Sequence, residues 1–170
     1  MPISQWNGAT ADIRAAKSVD IGCVRLTERC LPSDPPTAQE IAAAVELTMD
    51  TLAGAFDVVD VREARTFIGV AGTVTTLSAV NQGLVEYDPE RTHLSTMSLT
   101  EVRRTTARLL ELTREQRAEI QAIHPGRVDV IGSGALIVRT VAEQLAVRAG
   151  LTEMVVSEHD ILDGIALSLA

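Results

Sequence analysis

Aromatic side chains are nearly absent from this sequence: two Phe, one Trp and one Tyr make up 2% of its 170 residues. With 46% hydrophobic residues, a core must then be built from Ala, Val, Leu and Ile, which suits helices packed closely on a sheet. Cysteine is equally scarce. Cys23 and Cys30 have no metal-type spacing and no nearby His, which speaks against a disulfide scaffold or a zinc site and fits reduced thiols in a cytoplasmic protein. No apolar run approaches the roughly 18 residues of a membrane span. Met1 to Trp6 has neither the basic start nor the apolar stretch of a secretory signal. Basic residues are outnumbered 15 to 23, for a net charge of −8. That argues against a nucleic-acid partner, whose binder is normally basic, and makes a polyanionic ligand awkward unless arginines cluster locally. No Gly-x-Ser-x-Gly motif is present and the three His residues are scattered, so a catalytic triad or metallohydrolase is not indicated. Repeats, low-complexity tracts and linkers are missing too. Residues 1–170 read as one domain, long enough for a real core.

What is present reads as alternating strands and helices. Ile3 to Trp6 suggests half a strand, Asn7-Gly8 a hairpin turn, and Ala11 to Gly22 an alternating edge strand with Lys17 interrupting its apolar face. Thr37 with Glu40, Ser98 with Glu101 and Thr113 with Gln116 each have the spacing of a capping box at a helix start. Asn81 to His93 reads as an exposed loop. Gly132 to Ala135 places small residues in an apolar helix that Gly150 closes, as expected of a helix pressed against a sheet. Met154 to Val156 reads as a short strand, and Ile161, Leu162, Ile165, Ala166 and Leu169 mark a last amphipathic helix.

The stretch with most chemical content runs from Arg65 to Leu77. A short apolar strand leads into a turn with Gly69 and Gly72, and a helix is expected to open at Thr73. Unpaired backbone N–H groups at a helix start attract phosphate, and glycine lets it approach. Thr73 and Thr75 add hydroxyls. The same residues also suit a plain structural turn with Thr73 as its cap. Arg127, in His124-Pro125-Gly126-Arg127, is placed either to meet a phosphate or to pair with Asp129. Ser157-Glu158-His159-Asp160 has N-cap spacing; alternatively Glu158, Asp160 and Asp163 help hold Mg²⁺ near phosphates. Asp20-Ile21-Gly22 lacks the further glycines of a phosphate loop and reads as a strand ending in a bend.

Taken in order, five blocks carry a family resemblance: Asp20-Ile21-Gly22-Cys23-Val24-Arg25-Leu26-Thr27-Glu28-Arg29, Asp34-Pro35-Pro36-Thr37, Ile68 to Thr76, His124 to Gly132, and Ser157 to Ile165. From about Lys17 to the end the chain resembles the exopolyphosphatase / guanosine pentaphosphate phosphohydrolase (Ppx/GppA) family, particularly its actinobacterial members. The resemblance implies an α/β, partial ribonuclease-H-like (actin-like ATPase) domain, with a mixed sheet, an antiparallel edge hairpin and flanking helices. It places Gly69, Gly72 and Thr73 on a cleft wall, with Ala71 where some members carry Ser.

Family members hydrolyse terminal phosphoanhydrides of polyphosphate or guanosine pentaphosphate in a cleft between two such domains. A Glu from the first domain positions water, and Mg²⁺ steadies the phosphoryl charge. By the same resemblance this chain lacks that Glu and the Asp-Ile-Gly-Gly-Gly-Ser loop that opens the second domain. It is therefore expected to retain phosphate contacts (Gly69, Gly72, Thr73, Thr75, Arg127) with no catalytic residue, and to bind Mg²⁺ only weakly. The absent first strand is central in the family's sheet, so pairing with a second copy across the exposed edge is expected. The alternative is a stand-alone module that binds phosphate or a nucleotide, or simply dimerises.

Overall fold

The computed structural model describes residues 14–168. In chain order the elements are α1 (Cys23–Cys30), α2 (Ala38–Phe56), β1 (Phe67–Val70), α3 (Ala71–Asn81), α4 (Pro89–Thr92), β2 (Thr96–Ser98), α5 (Leu99–Glu111), α6 (Arg114–Ala118), a 3-10 turn (Pro125–Arg127), α7 (Ile131–Ala149), β3 (Glu153–Ser157) and α8 (Ile161–Ser168). The described strands form one sheet in the order β1-β3-β2. β1 runs parallel to β3, with Phe67 opposite Met154 and Val70 opposite Ser157. β2 runs antiparallel to β3, with Met97 opposite Met154. The result is a small mixed sheet flanked by helices.

Helix starts follow the sequence closely. Thr37, Ser98 and Thr113 each accept a backbone N–H from the residue three further on, and the side chains of Glu40, Glu101 and Gln116 return the bond. Each box satisfies two N–H groups that the helix itself leaves unpaired. Gly150 takes φ 69°, the left-handed conformation that ends α7.

The core has the expected aliphatic character. Val74, Leu77 and Val80 of α3 meet Met97 of β2, Val102 and Leu109 of α5, Ile131 and Ala135 of α7, and Met154 and Val156 of β3. Gly132 to Ala135 are all buried, and at Gly132 a Cβ would come within 3.3 Å of the Leu110 side chain. Small residues there let α5 and α7 approach closely. Arg117 is the buried charge of this layer, 7% exposed. Its guanidinium donates to the Val128 carbonyl at 3.1 Å, the Leu112 carbonyl at 2.8 Å and Asp34 Oδ1 at 2.9 Å. Asp34 Oδ2 also accepts the Arg114 N–H at 2.7 Å, so the loop before α2 is pinned to α6.

Three expectations change. Residues 14–22 are irregular rather than an edge strand, and the antiparallel edge of the sheet is β2; Ile3 to Trp6, Asn7-Gly8 and 11–13 lie outside the described residues. An extended segment needs a neighbour to take its backbone hydrogen bonds, and among the described residues no strand lies beside 14–22. Gly22, instead of ending a strand, precedes α1 as its N-cap with φ −153° and ψ 152°. That helix is hard to see in sequence because it buries a single side chain, Leu26. Finally, the 81–93 segment carries the short α4, which Asp88 caps and whose Thr92 is fully buried.

Candidate phosphate-binding site

The carboxyl ends of the parallel strands β1 and β3 lie side by side, with Val70 opposite Ser157. Ligands of open α/β sheets bind at such ends. Here β1 passes directly into α3. The reversal is made at Ala71, which takes φ 67°, a left-handed conformation costing an L-residue with a side chain about 1–2 kcal/mol. It starts α3 two residues before the expected Thr73. The N-cap residue is Val70, so no side chain accepts a hydrogen bond from the first turn, and its N–H groups are left for water or an anion.

Over this turn lies Arg127, delivered by the 3-10 turn that follows Pro125. A Cβ built on Gly72 would collide with its guanidinium, 2.8 Å from Nε and nearer still to Cζ and Nη2. Glycine at 72 is what admits the arginine. Nη1 has one long contact, 3.4 Å to Thr76 Oγ1. Among the described residues no carboxylate pairs with Arg127. Asp129, the partner suggested by sequence, instead binds Arg114. A cation without a carboxylate thus rests on the positive end of a helix, an arrangement that an anion stabilises on both counts.

The other expected contacts divide. Thr73 is half-buried, its side chain against α7: a Cβ on Gly134 would fall 2.8 Å from its Cγ2 and 2.9 Å from its Oγ1. Gly69 serves packing rather than ligand approach, since a Cβ there would come 2.8 Å from Met154 Sδ and Val74 Cγ1. Thr75 is buried. Gly72, Thr73 and Arg127 therefore come together at the turn, whereas Gly69 and Thr75 support it from beneath.

The carboxylates after β3 each take part in local hydrogen bonds. Glu158 Oε1 accepts the Tyr87 hydroxyl at 2.6 Å and the Thr92 hydroxyl. Its backbone N–H donates to His93 Nδ1 at 3.2 Å. Burial, then the Glu158 carboxylate, push the Tyr87 phenol up from its ordinary value. Asp160 accepts the Leu162 N–H at 2.9 Å, and Asp163 accepts the Asp160 N–H at 2.8 Å, so both are spent on starting α8. The Asp160 N–H, then His159, hold the Asp163 carboxyl below its ordinary range. Among the described residues no three His, Cys, Asp or Glu side chains converge to hold a metal ion. Tyr87 and Thr92 were not singled out in the sequence; an isolated Tyr in a polar loop carries no signal of the distant Glu158.

A profile of the Ppx/GppA phosphatase family matches residues 6–169. The chain belongs to the Ppx/GppA phosphatase family. It is similar to exopolyphosphatase 2 of Mycobacterium tuberculosis, 52% identical over 159 residues that make up 94% of this chain and 50% of that protein. Among solved structures it is similar to an exopolyphosphatase-like protein, with TM-score 0.90 and 40% identity over 92% of this chain and 50% of the other. The Ppx/GppA enzyme of Aquifex aeolicus has TM-score 0.80 and 25% identity, covering 91% of this chain and 49% of the other. The chain thus spans about half the length of the relatives it matches, and its fold is part of the actin-like α/β architecture of Ppx/GppA phosphatases. Among the described residues no helix is long and apolar enough to cross a membrane.

Proposed function

We propose that this chain supplies phosphate-chain contacts for an exopolyphosphatase-like phosphohydrolase, binding inorganic polyphosphate or the pentaphosphate of guanosine at the α3 turn, and that alone it binds without turnover. The observation that carries this reading is Arg127 lying over Gly72 at the uncapped start of α3. A charge-assisted hydrogen bond to a phosphate contributes about 1.5–3 kcal/mol, and a helix N-terminus a further ~0.3–1 kcal/mol. Millimolar affinity for a short phosphate chain, on the order of 4 kcal/mol at most, is the consequence. Mg²⁺ travels with the phosphate chain in this reading, because Glu158 and Asp160 are occupied by hydrogen bonds. The substrate is nucleotide or polyphosphate, not nucleic acid, in keeping with the net charge of −8. The two free thiols of Cys23 and Cys30 suit a cytoplasmic setting.

The deciding experiment pairs calorimetry with a phosphate-release assay on the purified chain. Tripolyphosphate is expected to bind, and neither polyphosphate nor guanosine pentaphosphate to be hydrolysed with Mg²⁺ present. Robust Mg²⁺-dependent phosphate release overturns binding without turnover; absence of binding overturns the site.

A second reading, a dimerising module, is favoured by one observation. Among the described residues β1 stands at the edge of the sheet, with Ile68 and Val70 exposed. A homodimer across that edge is compatible with phosphate binding.

A further inference from the structure

A surface helix ordinarily keeps its outer face polar. The outer face of α2 does not. Ala38, Ala42, Val45 and Met49 follow one another at steps of four, three and four residues, the spacing of a seam that packs against another helix. Ala38 and Ala42 are exposed, Val45 is half-buried and Met49 is 45% exposed. This seam is not the face that α2 spends on the core, which carries Ala44, Thr48 and Leu52. Between the seam and α7 lies a groove of about 490 Å³. Its α2 wall, from Ala38 to Asp50, is about 18 Å long at the helical rise.

The α7 wall of the groove contributes one charged group. Arg139 follows Leu136, which packs with Ala44 of α2 in the core. Its Nε is the one buried side-chain N or O among the described residues without a hydrogen-bond partner. A buried donor of this kind is destabilising until an acceptor reaches it. Glu46 and Asp50 also line the groove, but the helical repeat sets them on the flank of the seam away from the core face. Among the described residues neither they nor Arg139 form an ion pair. The seam therefore has a cation in need of an acceptor on one flank and two carboxylates in need of a cation on the other.

We propose that this groove docks a basic amphipathic helix of a partner protein. Its apolar stripe lies on the seam, a Glu or Gln side chain accepts from Arg139, and Lys or Arg side chains meet Glu46 and Asp50. About three turns of such a helix fit along the groove. Ala38 and Ala42 let its backbone come close, while Met49 adapts to the side chains it brings.

Charge selects this occupant over others. α2 has no basic residue of its own, so the α2 of a second copy brings no cation to Glu46 and Asp50. Two chains of net charge −8 also repel each other, as an anionic lipid surface would repel either. A basic helix is attracted by the same field and pairs both flanks of the seam. The groove shares no residue with the α3 turn, so this inference stands apart from the phosphate reading.

Nuclear magnetic resonance of the isotope-labelled chain, titrated with a synthetic helical peptide of about 18 residues, tests this. The peptide carries Leu at heptad spacing, Lys along one flank and a single Glu on the other; a control peptide replaces each Lys with Glu. Wild type is expected to show shifts concentrated in α2 from Ala38 to Asp50 and at the Arg139 Nε–H. It should bind the basic peptide about tenfold or more tightly than the control. Met49→Lys, at an exposed position, is expected to weaken binding about tenfold or more, and Glu46→Lys with Asp50→Lys to reverse the preference between the peptides. Arg139→Met is expected to favour a peptide with Leu in place of its single Glu, where wild type favours the Glu. Thermal melts of each variant separate lost binding from lost folding. No shift in α2 at about 1 mM basic peptide overturns the proposal, as does equal affinity for the two peptides or undiminished binding by a folded Met49→Lys variant. Dimerisation of the free chain that Met49→Lys abolishes would overturn it by assigning the groove to a second copy. Contacts between Met49 and residues 1–13 in the free chain would do so by showing the groove already filled.

Discussion

The guanidinium of Arg127 occupies the space that a side chain at Gly72 would fill. The two residues are far apart in sequence, and each explains the other: glycine opens the start of α3, and arginine takes the opening with no carboxylate to neutralise it among the described residues.

Gly72→Ala is therefore expected to displace Arg127 and cost about tenfold to a hundredfold in tripolyphosphate affinity, the equivalent of one lost charge-assisted hydrogen bond. Arg127→Ala is expected to lose a similar factor. Thermal stability of Gly72→Ala should change little, since alanine is about 1 kcal/mol better than glycine within a helix and offsets the displacement. Calorimetry alongside thermal melts distinguishes lost binding from lost folding; unchanged affinity in both variants would remove the site.

Ala71 holds a left-handed conformation that glycine adopts without penalty. Ala71→Gly should stabilise the chain by up to about 1 kcal/mol, the relief of strain being partly cancelled by the greater freedom of glycine in the unfolded chain. Urea denaturation checks this, and a destabilised variant would show that the turn is not strained.

Arg117 joins α6, the end of α5 and the loop at Asp34 through one buried guanidinium. Truncating Arg117→Ala leaves carbonyl groups unsatisfied, and a loss of about 2–3 kcal/mol is expected. Asp34→Asn, at a half-exposed carboxylate, should cost less than half as much. Equal losses in urea unfolding would contradict an anchoring role centred on the backbone carbonyls.

Ser98, first its hydroxyl and then its N–H, lowers the Glu101 carboxyl below its ordinary 4.5. A depressed folded pKa means that the carboxylate contributes stability above its unfolded pKa and loses it as pH falls through the folded value. The advantage of wild type over Glu101→Gln, which keeps the capping geometry without the charge, should be full at pH 6 and shrink steadily below about pH 4.5. Urea midpoints for both proteins from pH 6 to pH 3 measure it; a constant gap would refute the assignment.

Much of the fold was legible because its signals are local. Capping boxes at Thr37, Ser98 and Thr113 need only four consecutive residues, and Gly150 acts through its own φ. The α1 helix and the irregular 14–22 segment were not, because strand or helix there depends on whether another strand is at hand. In the site, the glycine turn and Arg127 were visible as residue types, but which arginine Asp129 would pair with was not: Arg114, rather than Arg127, reaches it. Tyr87, Thr92 and Glu158 converge only through folding.

By itself the sequence determined an aliphatic α/β core, the helix starts and stops, and membership of the Ppx/GppA phosphatase family, since these rest on composition and on short ordered motifs. Only the tertiary structure decided which glycine faces a ligand and which faces the core. Gly69 and Gly72 are three residues apart and alike in sequence, but one packs on Met154 and the other on Arg127. The difference lies in which distant side chain arrives at each, and that is set by the packing of α7 and β3 around α3.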